Sequence, residues 1–190
     1  MKERAEFLQT QSEVDVSRVF FVDEAGCHPG IGPRRGWAPV GQRLHAPEEP
    51  YSRGKHVSMI GALTLDGIAT YMTVEGGVKG KDFRRFVKQR LAPRLRPGDL
   101  VCLDNINMHK SNAIREAIES TGASLLCLPR YSPDLNPIEA AWAKVKAIIR
   151  KAIPATVLEL KKVMRSAFRK ISSSDARGWV KYCGYSLPAT

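Results

Sequence analysis

The sequence predicts an α/β fold: a mixed five-stranded sheet, three antiparallel strands then two parallel ones, flanked by helices. Three observations carry this. Five short apolar runs, bounded by turn residues, are spread over residues 18–128. Leu65-Asp66-Gly67 joins the second and third runs, and an Asp-Gly pair between apolar segments signals a tight antiparallel hairpin. Segments of helical period separate the third, fourth and fifth runs, so the last two strands are reached by crossovers, with helices on the sheet faces.

Taken in order, residues 1–17 are polar and read as a lead-in or linker without a fold of its own. Arg18-Val-Phe-Phe-Val-Asp23 is a compact apolar run ending on an acid, a buried strand. Glu24 to Gly54 is rich in Gly and Pro and reads as a long loop with at most one hairpin arm. Loops of that length inside a domain tend to be functional. Val57–Thr64 and Ile68–Val74 form the hairpin. Residues 80–95 carry Phe83, Phe86, Val87 and Leu91 at helical spacing, and Pro97-Gly98 ends that helix. Asp99-Leu-Val-Cys-Leu-Asp104 is a second apolar run closing on an acid. Ser111 caps a helix bearing Ile114, Ala117 and Ile118, which Gly122 terminates. Ser124–Leu128 is the last strand.

Beyond it, Ile138, Ala141, Trp142, Val145 and Ile149 mark one face of a helix reaching about Lys151. Thr156-x-x-Glu159 is a capping box for the next. There Val157, Leu160, Met164, Phe168 and Ile171 face inward while Lys161, Lys162, Arg165 and Arg169 face out. A short helix near 174–182 follows. The chain thus divides into a lead-in (1–17), one α/β domain (18–151) and basic helices packed on that domain (152–190).

A chain of 190 residues with 43% hydrophobic content is long enough for one domain with a real core. No apolar run approaches the roughly 18 residues of a membrane span, and the charged N-terminus lacks the apolar stretch of a signal peptide. Cys27, Cys102, Cys127 and Cys183 are scattered, without the paired spacing of a zinc site. Cys102 and Cys127 read as small buried hydrophobes, and a reducing, cytoplasmic setting fits. The net charge of +11 and pI near 9.8 favour a polyanionic partner. From Ala140 onward eleven basic residues face only Glu159 and Asp175, so most of the excess lies in the last 51 residues. A plain solvated helical face is the alternative.

Two strands close on an acid, Asp23 and Asp104. If they are neighbours, both carboxylates emerge at one edge of the sheet. Glu139 lies in the first turn of the following helix, in Asn136-Pro-Ile-Glu139. An N-x-x-E spacing allows Glu139 to cap its own helix. It equally allows a carboxylate held on a rigid helix beside the two aspartates. Clustered acids repel unless a cation sits among them, and oxygen ligands without His or Cys select Mg²⁺ or Mn²⁺. A pair of such ions supports phosphoryl transfer, and a basic surface holds a nucleic-acid backbone.

Phe20-Phe-Val-Asp-Glu-Ala-Gly26, Leu103-Asp-Asn-Ile-Asn-Met-His-Lys110 and Leu128-Pro-Arg-Tyr-Ser-Pro-Asp-Leu-Asn-Pro-Ile-Glu139 resemble the three motifs of DDE-type transposases. The similarity is to the mariner superfamily, in particular its bacterial insertion-sequence branch, and covers about residues 18–150. The 34 residues between Asp104 and Glu139 match that branch's spacing. The resemblance implies a ribonuclease-H-like catalytic domain with Asp23, Asp104 and Glu139 as catalytic, metal-binding triad and two Mg²⁺ or Mn²⁺ ions. It also implies cleavage at mobile-element ends, strand transfer at TA dinucleotides, and a homodimer on double-stranded DNA in the bacterial cytoplasm, associated with the nucleoid. Candidate DNA contacts are Arg34 and Arg35 beside Trp37, His109 and Lys110 after Asp104, and Lys144, Lys146, Arg150 and Lys151 on the helix. Full-length relatives carry an N-terminal helix-turn-helix, and no segment before residue 18 fits one. A separately encoded recognition protein, a frameshift product or a truncated remnant are the readings this leaves. Rival functions are a nuclease that only hydrolyses, and a catalytically silent DNA-binding remnant that inhibits an intact transposase.

Overall fold

The computed structural model describes residues 2–33, 36–43, 55–104 and 112–188. Its centre is one five-stranded sheet: β1 (Val19–Cys27), β2 (Val57–Thr64), β3 (Gly67–Glu75), β4 (Leu100–Leu103) and β5 (Ser124–Cys127). The spatial order is β3-β2-β1-β4-β5. β1, β2 and β3 pair antiparallel, whereas β4 and β5 run parallel to β1. This is the ribonuclease-H-like order that the motifs imply.

β1 is longer than its apolar run. The Asp-Glu-Ala-Gly segment reads locally as a loop, yet β2 offers a ladder from Phe21↔Leu63 to Cys27↔Val57 and keeps the backbone extended. Asp23 therefore lies inside a strand and not at its end, a correction that tertiary pairing imposes on local propensity. Asp104 does follow the last residue of β4.

Alternation along the strands sends side chains to two cores. Phe21, Met59 and Leu63 meet Trp142, Val145, Ile149, Met164 and Phe168 on one face. These come from α4 (Ile138–Ala152) and α5 (Val157–Phe168), with α6 (Ser173–Tyr182) alongside. Val22, Ile60, Val101 and Leu103 meet Phe83, Phe86, Leu91, Ile114 and Ile118 on the other. Those belong to α2 (Gly80–Phe86), its continuation, and α3 (Asn112–Glu119). The helix expected over 80–95 is not uniform. It loosens to a π turn over Val87–Leu91 and tightens to a 3₁₀ turn over Ala92–Arg94, which contains Pro93. Of the cysteines expected in the core, Cys102 is buried but Cys127 is exposed, because β5 is an edge strand.

The expected lead-in has structure. Lys2–Thr10 form α1 and Gln11 is buried, its Nε2 donating to the Cys183 carbonyl at 2.8 Å. Arg4 makes two hydrogen bonds to Asp134, at 2.9 and 2.6 Å, in the loop before α4. No helix among the described residues is long and apolar enough to cross a membrane.

Candidate active site

Parallel pairing of β1 with β4 runs from Val19↔Leu100 to Val22↔Leu103. The next residue on each chain is an aspartate, so Asp23 and Asp104 directly follow the last paired residues of neighbouring parallel strands. Asp23 shares the Phe21 side of the sheet, facing α4. It is buried, and its Oδ2 accepts a hydrogen bond from Trp142 Nε1 at 3.0 Å. Burial pushes its carboxyl up to about 7, and the charges of Glu139 and Glu24 push the same way. Hydrogen bonds from the Glu24 backbone and the Trp142 indole oppose this without cancelling it.

The route from β5 to Glu139 is a fixed loop. Leu128, Ser132, Leu135 and Asn136 are buried, and the Tyr185 hydroxyl donates to the Leu135 carbonyl at 3.0 Å. Pro133–Leu135 form a 3₁₀ turn, Asn136 is extended, and Pro137 already has helical dihedrals (φ −58°, ψ −25°). The fixed φ of proline thus starts α4 where the sequence places it. The expected side-chain cap is not made. No side chain caps this end, and the buried Oδ1 of Asn136 has no hydrogen-bond partner. The Glu139 carboxylate is thus not engaged by its own helix.

Glu139 stands at the rim, exposed on one side. Its carboxyl is nevertheless raised, first by partial burial and then by the Asp104 charge, with Lys146 pulling it down. The three acids are therefore coupled: Asp104 acts on Glu139, and Glu139 acts on Asp23. They are not drawn into a closed cluster. Among the described residues, no three acids, histidines or cysteines stand close enough together to hold a metal ion by themselves.

The candidate DNA contacts separate. Arg34, Arg35, His109 and Lys110 lie outside the described residues. Lys144 is paired with Asp175 of α6 at 2.6 Å. Lys146 reaches the field of Glu139, Arg150 is half-buried, and Lys151 is exposed at the end of α4. Sequence reasoning placed Trp142 in the core, where it is, but missed its bond to Asp23. Its position three residues after Glu139, hence on a neighbouring part of the same helix face, was the available signal.

Residues 18–161 match the family described as DDE superfamily endonuclease. The transposable element Tc3 transposase of Caenorhabditis elegans is 26% identical over 187 residues, covering 94% of this chain and 56% of that protein. The Mos1 strand transfer complex superimposes with a TM-score of 0.75 at 19% identity, over 96% of this chain and 56% of that one. The Mos1 catalytic domain with raltegravir and Mg gives 0.65 at 15% identity, over 96% of this chain and 86% of that one. The chain thus spans little more than half the length of the Tc3 transposase, and its sheet and helix arrangement is that of the Mos1 catalytic domain. With three quarters of its residues inside the family match, the chain belongs to the DDE superfamily of endonucleases.

Proposed function

We propose that this chain is the catalytic part of a transposase that cuts DNA at the ends of a mobile element and joins the released 3′ hydroxyl to target DNA. The observation that carries this is the in-register adjacency of Asp23 and Asp104, with Glu139 of α4 coupled to both by charge. The donor set fits a hard divalent cation. All three groups are carboxylates, no His or Cys joins them among the described residues, and the carboxyls of Asp23 and Glu139 are raised, first by burial. Asp23, Asp104 and Glu139 would hold Mg²⁺ or Mn²⁺, as two ions in this reading. Such ions activate a water or hydroxyl and compensate charge on the leaving oxygen.

The chain's own residues have separate tasks. Asp23 is held by the indole of Trp142, Asp104 is delivered by the end of β4, and Glu139 is presented by a helix whose start Pro137 fixes. Lys146 brings positive charge to the side of Glu139, where a phosphate group would lie. Arg34, Arg35, His109, Lys110, Arg150 and Lys151 extend the candidate DNA path. Relatives described as paired-end and strand-transfer complexes support double-stranded DNA as substrate and a homodimer as working form. A DNA-recognition segment, in the same polypeptide or a separate one, would supply end specificity, because the chain corresponds to only part of those relatives.

The test uses the DNA bordering the coding region. Wild-type protein with Mg²⁺ or Mn²⁺ should cleave it, and Asp104→Asn should abolish cleavage while leaving the fold intact. Cleavage surviving in Asp104→Asn overturns the assignment. Supplying pre-cut ends and a plasmid target separates a transferase, which joins them, from a nuclease, which does not.

A further inference from the structure

We propose that Trp142 is a positioning residue for the site, with Gly61 as its seat: together they aim the Asp23 carboxylate and set the spacing between β1 and the first turn of α4. The inference rests on the reading of Asp23 as a metal ligand.

Gly61 is the residue paired directly with Asp23 across β1 and β2. Paired residues project to the same face of a sheet, so the missing side chain at 61 leaves a slot beside Asp23 on the α4 side. The indole of Trp142 fills that slot. A Cβ at 61 would stand 2.7 Å from Trp142 Cη2, closer than real contacts allow. From this seat, Nε1 points at Asp23 Oδ2. The ring has no freedom to leave: Trp142 is 1% exposed and meets Phe168 edge-on, with centroids 6.3 Å apart.

The chemistry of the contact is directional. An indole N–H only donates, so it fixes the direction of one carboxyl oxygen of Asp23, Oδ2. Glu139 lies three residues before Trp142 on α4, about one turn away. Whatever holds Trp142 against β1 therefore also holds Glu139 in place relative to Asp23. A tryptophan present only to fill the core would need some acceptor for its N–H, but it would not need a glycine opposite the very aspartate it bonds.

The experiment measures Mn²⁺ affinity of the full chain by titration calorimetry alongside thermal midpoints, for wild type, W142F, G61A, the double variant and D23N. W142F keeps an aromatic ring and loses the donor. It should bind Mn²⁺ about tenfold more weakly, as expected for a lost hydrogen bond to a charged group. G61A keeps the donor but displaces the ring, and should show a similar loss. The double variant should be no worse than W142F, because the shorter Phe no longer reaches residue 61, and that non-additivity reports the coupling. Wild-type affinity in W142F, with only the midpoint lowered and D23N unable to bind, overturns the positioning role and leaves the proposed site standing. Wild-type affinity in D23N overturns the proposed metal site and this inference with it. W142F decides the matter alone if G61A does not fold.

Discussion

Asp23 makes the metal-free protein sensitive to pH in a defined direction. Its carboxyl is raised from an ordinary 3.8 to about 7. The folded state therefore holds a proton that the unfolded chain releases first, so this contribution to stability is complete below pH 4 and is lost as pH rises through 7. A shift of that size corresponds to on the order of 4 kcal/mol at most. Asp175 works oppositely: its bond to Lys144 and its capping contacts hold its carboxyl at about 2, so its contribution is present above pH 4 and lost as pH falls through 2. The urea midpoint of the metal-free protein should thus decline between pH 5 and 7.5. Asp23→Asn should remove most of that decline, since Asn still offers an oxygen to the Trp142 indole. Mn²⁺ should restore the wild-type midpoint at pH 7.5 but not that of Asp23→Asn.

At the scale of elements, boundaries with local chemistry were legible and boundaries set by neighbours were not. The Thr156–Glu159 box forms as read: Thr156 Oγ1 accepts from the Glu159 N–H, and Glu159 accepts from the Thr156 N–H. Thr156→Ala should cost about 1 kcal/mol of stability, read as a lowered thermal midpoint with Mn²⁺ affinity unchanged. The start of α4 was legible from Pro137, but the unpaired Oδ1 of Asn136 was not, because its burial depends on the surrounding loop. The far end of β1 was misread since Glu24-Ala-Gly-Cys27 is extended only because β2 lies beside it. The loop before Glu139 depends on a contact 50 residues away in sequence, Tyr185 to the Leu135 carbonyl. Tyr185→Phe leaves that buried carbonyl unsatisfied and should cost roughly 1–3 kcal/mol in urea unfolding.

At the scale of the molecule, the described basic residues differ in their partners. Lys144 is paired with Asp175 and Lys161 with Glu75, whereas Arg165 joins Arg90 and Arg94 along a groove of about 410 Å³ beside the edge strand β3. Composition counts charges but does not assign them partners. If Lys151, exposed at the end of α4, contacts a phosphate, Lys151→Gln should reduce the slope of log affinity against log salt by about 0.9. Lys144→Gln should leave the slope unchanged and lower stability by at most about 1 kcal/mol, the range of a partly exposed ion pair. Fluorescence titrations of duplex DNA at several salt concentrations measure both.

The sequence by itself determined the order of strands and helices from β1 onward, the start of α4, and which three acids are candidates for the site, because hydrophobic period, proline geometry and motif spacing are local properties of the chain. Only the tertiary structure decided that Asp23 lies within a strand, that Asp104 stands at the adjoining position, and that Trp142 rests on Gly61 with its N–H on Asp23. Those facts depend on register between strands and on what a helix meets when it packs. No window of sequence contains both partners of such a contact.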